Sequence, residues 1–596
     1  MIDPDAMTTM SAVSRAAARR APNRICNRFE GRDTSFAAFD RHADQVARGL
    51  DAAGAKVAAY LGKNGDHAFE VYVGATRAGG IFAPLNWRLA PAEIVEILRR
   101  YPPDILFVGP EFHGAAERIL SELPAIPVIA MEGGHPDWPA YEAWRDARSE
   151  EPFEDRSAPD DPALALFTSG TTGLPKAALL SHRNLLRQRV DTLPRRLAYD
   201  HWDEGDVSLM AMPLAHIGGI GWWNLGLCNV CTNVIAREFN PAQVLDFVEK
   251  DGISKMFMVP AALQIVVQDP RARTIDFSRI THIMYGAAPM PLPLLQEAIE
   301  VIGCQFAQCY GMTETTGTIA MLMPEDHVPE GSPRMRAAGR AMPGSEIAVF
   351  GPDGAPVPVG EIGEVAIRSP CNMLRYWNNA EATEKTLRGD GWLLSGDAGY
   401  MDEDGYLFIH DRIKDMIITG GENVYPAEVE SALHGHPAIR EAAVIGVPDP
   451  KWGEAVKAVV TARPGARIDP AEVIDWMHGR LAAFKVPKSA ICARLIGRAG
   501  TGRSIDRRRC AGPAGGAAPG VDAAGDAPRS RRARDRRAAT AVRRRQPGNL
   551  GVRHRGRAGG RADPAPGARR GPRRRIGDRA GGRGAGDRPR RRGRRA

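Results

Sequence analysis

Short apolar runs alternate with amphipathic stretches between about residue 10 and residue 410, and this alternation constrains the fold more than any other feature of the sequence. Two apolar runs of strand length are KVAAYLG (56–62) and ALALFTSG (163–170). Two amphipathic stretches between such runs are EVYVGATRAGGIFAPLN (70–86) and APAEIVEILRRY (90–101). The pattern predicts parallel strands joined by crossover helices, and so a large α/β domain over residues 1–410.

Beyond residue 350 the pattern changes twice. A turn-rich, β-like stretch includes GPDGAPVPVGEIGEVAIRS (351–369). Residues 411–490, which contain PAEVESALHGHPAIREAAVIGVPD (426–449), follow an order of helix, strand and turn that predicts a small α+β domain. Residues 491–596 lack apolar periodicity and contain no Phe, Trp, Tyr, Met, Lys or Glu. This part is predicted to be a disordered tail rich in Arg, Gly, Ala and Pro.

The formal net charge of +8 combines two parts of opposite sign. Residues 501–596 carry 30 Arg, 7 Asp and neither Lys nor Glu, a net charge of +23, so the first 500 residues carry −15. An acidic body argues against a nucleic-acid-binding role for the main part of the chain. Only the tail has the charge that nucleic acid requires.

Cysteine usage and the N-terminus indicate the compartment. The chain has eight cysteines, and their spacing is not that of a disulfide-rich scaffold, which fits a reducing environment. Cys228 and Cys231 form a lone C-x-x-C and are expected to be buried thiols. The first residues, MIDPDAMTTMSAVSR, lack the basic and apolar regions of a secretory signal. No stretch reaches the roughly 18 apolar residues of a spanning helix. We expect a cytoplasmic protein, with peripheral membrane contact left open.

The stretch with the most specific chemistry is LFTSGTTGLPKAALLSH (166–182). An apolar strand leads into a loop of glycines and hydroxyl residues, and a lysine follows. Glycines let several backbone N–H groups converge, hydroxyls add donors and the lysine adds charge, so the loop predicts a polyphosphate cradle. Its spacing differs from G-x-x-x-x-G-K-[ST]. The candidate phosphate-binding residues are Thr168, Ser169, Gly170, Thr171, Thr172, Gly173 and Lys176.

This loop closely resembles the signature loop of the adenylate-forming superfamily, which includes the AMP-forming acyl-CoA synthetases. YGAAPMP (285–291) resembles the segment that lines the adenine and acyl pockets, and QCYGMTETTG (308–317) resembles the next signature. The resemblance implies ATP, Mg²⁺ and coenzyme A. It implies that Tyr310 stacks on adenine, Thr313 meets phosphate oxygens and Glu314 holds Mg²⁺, a role that suits a carboxylate. The other adenine-site residues that it implies are Gly286, Ala287, Ala288 and Gly311.

The longest match is GWLLSGDAGYMDEDGYLFIHDRIKDMIITGGENVYPAEVE (391–430). The resemblance implies that Asp397 accepts hydrogen bonds from the ribose hydroxyls, with Arg412 assisting, because a carboxylate offers acceptors to a vicinal diol. It places the hinge between the large domain and a mobile small domain at Lys414. The CoA-binding residues that it implies are Gly420, Gly421 and Glu422; a plain tight turn is the alternative for the two glycines.

MPLAHIGGIGWWNLGL (212–227) resembles the family's helix beside the carboxylate substrate. By this resemblance His216 flanks the acyl carboxylate or gates access of the thiol, and a structural histidine is the alternative. Trp222 and Trp223 either line the acyl pocket or pack in the core. The catalytic set that the resemblance implies is Lys176, His216, Thr313 and Glu314. One departure is Arg375 in MLRYW, where relatives often have glycine.

The resemblance fades near residue 490. In this family the small domain ends with a loop resembling G-K-I/V-x-R, whose lysine stabilises the charge that grows during adenylation. TGRSIDR (501–507) keeps the glycine but has Arg503, and no lysine follows Lys488. Codons for this stretch can encode Gly-Lys-Ile-Asp-Arg-Pro in another frame. A frameshift between Lys488 and Arg503 would therefore explain both the missing lysine and the tail; a nucleic-acid-binding arm is the competing interpretation.

The sequence therefore predicts an AMP-forming acyl-CoA synthetase that activates a medium- or long-chain fatty acid or an aryl carboxylic acid. Adenylation is expected to be impaired by the missing lysine. LNWRLAPAEIVEIL (85–98) resembles such ligases more than acetyl-specific ones. Two alternatives stay open: an adenylating enzyme that delivers its acyl group to a carrier protein, and a catalytically crippled protein that binds acyl-adenylate or nucleotide.

Overall fold

The computed structural model describes residues 2–168, 175–195, 197, 201–419, 422–478 and 480–492. Every described residue belongs to one compact unit. Within the described ranges, no helix is long and apolar enough to cross a membrane. The predicted tail and Arg503 lie outside the described residues.

The α-helices, in chain order, are α1 (Met10–Arg20), α2 (Phe36–Ala52), α3 (Asp66–Arg77), α4 (Pro91–Arg100), α5 (His113–Leu120), α6 (Tyr141–Asp146), α7 (His182–Thr192), α8 (Ile217–Cys228), α9 (Pro241–Asp251), α10 (Pro260–Val267), α11 (Leu292–Ile302), α12 (Ala380–Thr386), α13 (Pro426–His434) and α14 (Pro470–Met477).

The β-strands are β1 (Ile25–Phe29), β2 (Arg32–Ser35), β3 (Val57–Leu61), β4 (Ile81–Leu85), β5 (Ile105–Val108), β6 (Val128–Ala130), β7 (Pro162–Thr168), β8 (Lys176–Ser181), β9 (Val207–Met210), β10 (Thr232–Ile235), β11 (Lys255–Met258), β12 (His282–Gly286), β13 (Gln305–Met312), β14 (Gly317–Leu322), β15 (Arg340–Ala341), β16 (Glu346–Phe350), β17 (Gly363–Arg368), β18 (Arg375–Tyr376), β19 (Leu393–Met401), β20 (Leu407–Arg412), β21 (Ile417–Thr419), β22 (Glu422–Val424), β23 (Ile439–Asp449), β24 (Gly453–Ala462) and β25 (Ser489–Cys492).

Two large mixed sheets build the N-terminal part of the fold. One has nine strands in the order β15-β14-β13-β12-β11-β9-β10-β1-β2, and the other has seven in the order β18-β8-β7-β4-β3-β5-β6. Their inner neighbours run parallel, as β11 does to β12 and β3 does to β4. Strands at the edges run antiparallel, as β14 does to β13 and β8 does to β7. The predicted parallel sheets with crossover helices are confirmed.

Two smaller sheets follow. The turn-rich stretch forms a four-stranded antiparallel sheet in the order β16-β17-β19-β20. The last sheet has the order β22-β21-β24-β23, with β25 parallel to β24, and apolar residues of α13 and α14 such as Val429 and Val473 share its hydrophobic core. The small α+β part at the C-terminal side is thus confirmed as well.

Helix boundaries follow local sequence signals. Ser35 precedes α2, and its side chain accepts a hydrogen bond from the backbone N–H of Ala38, which satisfies a donor that the first turn leaves unpaired. Asn240 caps α9 in the same way, Pro241 occupies the first helical position, and Gly252 ends the helix in the left-handed conformation.

Helix α3 corrects the expectation that residues 70–86 are amphipathic, because all of its residues are buried. Its charged groups have buried partners: Nη1 of Arg77 lies 2.7 Å from a carboxylate oxygen of Asp44, and Glu70 lies 2.9 Å from Arg145. Buried charges are tolerated when they are paired. The local sequence predicts that α3 has an exposed polar face, because the residues that pair with its charged groups lie far away in the sequence.

Asp411, near the end of β20, connects the four-stranded sheet to α13. One carboxylate oxygen accepts the backbone N–H of Ala427 at 2.8 Å, in the first turn of α13, and the other accepts the backbone N–H of Arg412 at 2.8 Å. A carboxylate at a helix N-terminus is stabilised by the helix dipole. A short turn that contains Ile413–Asp415 joins β20 to β21.

Candidate functional site

The open end of the β7–β8 hairpin carries the first site residues. Thr168 ends β7 and Lys176 begins β8, and the two are paired across the hairpin. The hydroxyl of Thr168 donates to Oε1 of Glu314 at 3.3 Å. Glu314 lies in a short helical turn, Thr313–Thr315, between β13 and β14. The fold therefore brings the loop lysine, Thr168, Thr313 and Glu314 to one place.

Part of the predicted phosphate cradle is not described. Ser169, Gly170, Thr171, Thr172 and Gly173 lie outside the described residues, and so do Gly420 and Gly421 of the predicted CoA site. The backbone of Lys414 forms part of the turn after β20, and its side chain is outside the described part of the structure.

Tyr376 is a site residue that sequence reasoning missed. Its hydroxyl donates to Oε1 of Glu314 at 2.7 Å, and Nζ of Lys176 lies 4.9 Å from the centre of its ring. Burial, and then the neighbouring Glu314 carboxylate, raise the pKa of Tyr376, so that the phenol stays protonated and donates. No local pattern marks it, because it reaches the site through the pairing of β18 with β8, about 200 residues away in sequence.

The second cluster joins Tyr310 of β13, Asp397 of β19 and Arg412 of β20. The Tyr310 hydroxyl donates to Oδ2 of Asp397 at 2.6 Å, and Nε of Arg412 lies 2.7 Å from Oδ1. Burial raises the pKa of Asp397, while Arg412 and Tyr310 counteract that effect. Burial and Asp397 raise the pKa of Tyr310 well above its usual value. The predicted ribose-binding pair is therefore assembled, and Arg412, at 46 % side-chain exposure, leaves the cluster open to solvent.

Backbone geometry beside this cluster depends on small residues. A Cβ on Gly286, at the end of β12, would overlap the carbonyl oxygen of Cys309, and one on Gly311 would overlap the carbonyl oxygen of Gly317. Ala287 and Thr316 adopt positive φ angles of 66° and 57°, which cost energy for residues with a side chain. Strain of this kind is concentrated at functional sites.

An apolar cavity opens beside these residues. It measures about 860 Å³ including its open mouth, and Ala287, Gly311 and Thr316 line it. One wall is a stripe of α8 that includes Ile217, Gly221, Leu225 and Cys228, spaced as one face of a helix. Phe257 of β11 and Met284 of β12 contribute further apolar lining, and Ala288 lies exposed next to Ala287.

The two tryptophans of helix α8 lie in different surroundings. Trp222 lines the cavity, whereas Trp223 is fully buried, stacks on Phe69 at 4.3 Å between ring centres and donates its indole N–H to Asn27. His216 is the residue just before the first turn of α8, and it is exposed to solvent. Loss of hydration lowers the pKa of His216, and Arg88 lowers it further.

Glu422 is exposed at the start of β22, and it lines a second cavity with His410, Tyr425 and Lys485. Nζ of Lys485 lies 2.8 Å from Glu428, so this lysine is held in an ion pair rather than lying free on the surface. The thiols of Cys228 and Cys231 are buried and form no disulfide, as expected.

The donor set at Glu314 fits Mg²⁺. Within the described part of the chain, Thr168 and Tyr376 both donate to Oε1, which leaves Oε2 for a cation. A hard carboxylate oxygen beside a lysine is a combination that suits Mg²⁺ held between a protein carboxylate and phosphate oxygens. When bound there, Mg²⁺ would neutralise phosphate charge. The arrangement as a whole can hold a nucleoside polyphosphate next to an apolar acid.

These features define a nucleotide-dependent enzyme that activates an acid, and comparison with known proteins identifies the family. The AMP-binding enzyme family matches residues 14–377, and the AMP-binding enzyme C-terminal domain matches residues 428–502. The chain belongs to the AMP-binding enzymes, the adenylate-forming superfamily that contains the acyl- and aryl-CoA ligases. It is an acid–thiol ligase of the AMP-forming type.

Two curated relatives and one solved structure illustrate the similarity. A fatty acid–[acyl-carrier-protein] ligase, ScoC, from Streptomyces coeruleorubidus is 39% identical over 77% of this chain and 87% of its own length. A feruloyl-CoA synthase from an Amycolatopsis species is 37% identical over 82% of this chain and 96% of its own. The crystal structure of ATP-bound MatB from Rhodopseudomonas palustris has a TM-score of 0.71 and 31% identity, covering 79% of this chain and 92% of MatB.

Proposed function

We propose that the protein is an acyl-CoA synthetase for a medium- or long-chain fatty acid or an aryl carboxylic acid. The observation that carries this proposal is the position of the apolar cavity. Ala287 and Gly311 line it, and Gly311 directly follows Tyr310, which bonds Asp397. An acid in this cavity would have its carboxylate next to the nucleotide cluster. Relatives named as feruloyl-CoA synthase and long-chain-fatty-acid–CoA ligase support the two acid classes.

The proposed reaction has two half-reactions. A carboxylate oxygen of the acid attacks the α-phosphorus of ATP, the bond to pyrophosphate breaks, and acyl-adenylate forms. The thiol of CoA then attacks the acyl carbon, which gives the thioester and releases AMP. The site holds the reacting groups in place and so removes much of the entropic barrier.

We propose individual roles for the residues of the site, and their geometry supports these roles. Lys176 and Thr313 would contact phosphate oxygens, and Glu314 would hold Mg²⁺. Asp397 and Arg412 would bind the ribose, because the Asp397 carboxylate is an acceptor and the guanidinium 2.7 Å away opposes the rise that burial causes in its pKa. These groups are preorganised by the bonds described above, and preorganised polar groups stabilise charge as it develops.

The thiol-transfer step involves the other predicted residues. We assign His216 to the passage between the acyl carboxylate and the thiol, since it precedes the wall helix of the cavity. Rotation of the small domain would take place at Lys414, in the turn that joins β20 to β21. Glu422 would contact CoA at the second cavity, whereas Gly420 and Gly421 of the predicted CoA site lie outside the described residues.

The lining of the cavity limits the acid. Its α8 wall presents Ile217, Trp222 and Leu225, and Phe257 and Met284 add apolar surface. An alkyl chain or an aryl ring gains free energy when it leaves water for such a surface. Acetate has little apolar surface and gains less, so a short acid is disfavoured.

Adenylation is proposed to be weak in this chain. The family's final lysine has no counterpart after Lys488, and an arginine stands in the stretch where it is expected. Arginine keeps the charge but not the reach or the compact geometry of an ammonium group. Loss of one group that stabilises the transition state costs at least about a hundredfold in rate. Restoring the Gly-Lys-Ile-Asp-Arg loop should raise ATP–pyrophosphate exchange by that factor; an equal rate in both chains contradicts the role of the lysine.

The acceptor has a second candidate, because the ScoC relative is named as a ligase to acyl carrier protein. The deciding experiment supplies benzoic, ferulic, decanoic and acetic acids with ATP to the loop-restored chain. CoA and a phosphopantetheinylated carrier protein are offered separately, and thioester is measured by mass spectrometry. The proposal expects CoA thioesters of the first three acids and little of the acetyl ester. Thioester on the carrier alone would establish the second candidate.

A further inference from the structure

Tyr376 connects three separate motifs of the site. Its hydroxyl donates to Glu314, its ring lies under Lys176, and its strand pairs with the strand that begins at that lysine. We propose that Tyr376 is a positioning residue that fixes the Glu314 carboxylate for a divalent cation and holds the Lys176 ammonium above its ring. This inference rests on the proposed function, since it concerns the metal and phosphate groups of the same site.

The hydroxyl is placed to act on one oxygen only. It lies 2.7 Å from Oε1 of Glu314, the length of a strong hydrogen bond to an ionised acceptor. Thr168 donates to the same oxygen at 3.3 Å. Two donors from different strands prevent rotation of the carboxylate and keep its other oxygen directed away from them. Groups that orient a metal ligand typically change metal affinity by about 10- to 100-fold when removed.

The backbone of Tyr376 is itself fixed. Its N–H donates to the hydroxyl of Thr383 at 3.0 Å, and its Cα is the partner of Ala178 in the antiparallel pair of β18 and β8. Only 5 % of the residue is exposed. The phenol therefore has a defined position before any ligand arrives, and the groups that it contacts share that position.

The ring provides the second function. Lysine has a long flexible stem, and ordering it costs conformational entropy. With Nζ 4.9 Å from the ring centre, Lys176 is within the range of a cation–π contact. This contact restrains the ammonium beside the loop that follows Thr168. A phenylalanine would preserve it, whereas an aliphatic residue would not, so the two functions can be separated by substitution.

If Tyr376 had only a structural role, the expected results would be different. Such a residue would use Glu314 only to satisfy its own buried hydroxyl, and its loss would lower stability without changing metal binding. Tyr406 provides the matched control. It is 1 % exposed, its hydroxyl lies 3.0 Å from the carboxylate of Asp326, and Arg340 donates to it at 2.7 Å. It lies away from the nucleotide cluster, so Tyr406→Phe removes a comparable bond outside the site.

The test measures binding of Mn²⁺ to the full chain in the presence of ATP, by electron paramagnetic resonance, and so needs no turnover. Tyr376→Phe should raise the Mn²⁺ dissociation constant by about 10- to 100-fold, and Tyr406→Phe should leave it within about twofold of the unchanged chain. Tyr376→Leu should in addition weaken metal-free ATP binding several-fold, which Tyr376→Phe should not. In a Glu314→Gln background, Tyr376→Phe should add less than about a twofold effect.

Three outcomes would overturn the inference. They are an unchanged Mn²⁺ constant in Tyr376→Phe, an equal change in Tyr406→Phe, or a full effect in the Glu314→Gln background. If Tyr376→Phe does not fold, Thr383→Val replaces it, because releasing the backbone of Tyr376 should raise the Mn²⁺ constant in the same direction, and no rise would refute the inference. Failure of the unchanged chain to bind Mn²⁺ with ATP would refute the proposed function as well, so the two failures are distinguishable.

Discussion

Replacing Arg412 with glutamine should weaken ATP binding in a way that depends on pH. The Asp397–Arg412 pair has one partner at 5 % exposure and the other at 46 %, with 2.7 Å between charged atoms. Removing one partner of a fully buried pair costs about 3–5 kcal/mol, and an exposed pair contributes about 0.2–1 kcal/mol. Because solvent screens Arg412, the free energy lost when it is replaced should lie between these limits, at about 1–2 kcal/mol. As a loss of ATP binding, this free energy corresponds to an increase of about 5- to 30-fold in the ATP dissociation constant.

The pH dependence follows from the direction of the Asp397 pKa. Burial already raises that pKa in the native protein, and Arg412 opposes the rise. Ribose binding uses the carboxylate, which is present above the pKa and is lost as the pH falls through it. Without Arg412 the pKa rises further, so the loss of affinity begins at a higher pH. The gap between Arg412→Gln and the unchanged chain should therefore widen from pH 8 towards pH 5.5.

Isothermal titration with ATP and no acid substrate measures both effects directly. Arg368→Gln is the control, because Arg368 forms a surface ion pair with Glu346 at 3.2 Å and lies outside the nucleotide cluster. It should leave the dissociation constant unchanged at every pH. Wild-type affinity in Arg412→Gln across this range, or an equal loss in Arg368→Gln, would refute the assignment of the pair to nucleotide binding.

Three further predictions concern stability, each measured by urea unfolding. Arg77→Met removes the more buried of the two arginines that pair with Asp40 and Asp44, and Arg15 remains; it should lower the free energy of unfolding by about 1–3 kcal/mol, and an unchanged value would contradict the buried network. Gly311→Ala forces a Cβ against a carbonyl oxygen and should cost about 1–3 kcal/mol, so an unchanged midpoint would argue against the close approach. Ala287→Gly relieves a positive φ angle and should stabilise the protein by up to about 1 kcal/mol; destabilisation would show that the angle carries no strain.

Much of the fold could be predicted because its information is local. The apolar runs at 56–62 and 163–170 correspond to β3 and β7, and the stretch at 90–101 corresponds to α4. Among the described site residues that the motifs predict, Thr168 lies beside Glu314 and Arg412 lies beside Asp397. Local motifs can indicate such residues because the chemistry requires particular residue types at the ends of particular strands.

The information that was missed is long-range. Tyr376 lies next to Arg375, where the sequence departs from the family pattern, yet only the pairing of β18 with β8 shows that the tyrosine reaches Glu314. The sequence of helix α3 indicates an amphipathic stretch because the buried partner of Arg77 is a carboxylate more than 30 residues away. The positions of Tyr376 and Arg77 both depend on contacts with residues that lie far away in the sequence.

The most direct test of the central claim is thioester formation from synthetic acyl-adenylate and CoA by the unchanged chain. This measurement bypasses the adenylation step and addresses the site that the cavity and the nucleotide cluster form. Benzoyl-, feruloyl- and decanoyl-adenylate are offered in turn, and AMP and acyl-CoA are quantified. The account predicts release of AMP together with an equal amount of acyl-CoA from at least one of them. Absence of acyl-CoA from all three, with the chain folded and binding ATP, would contradict it.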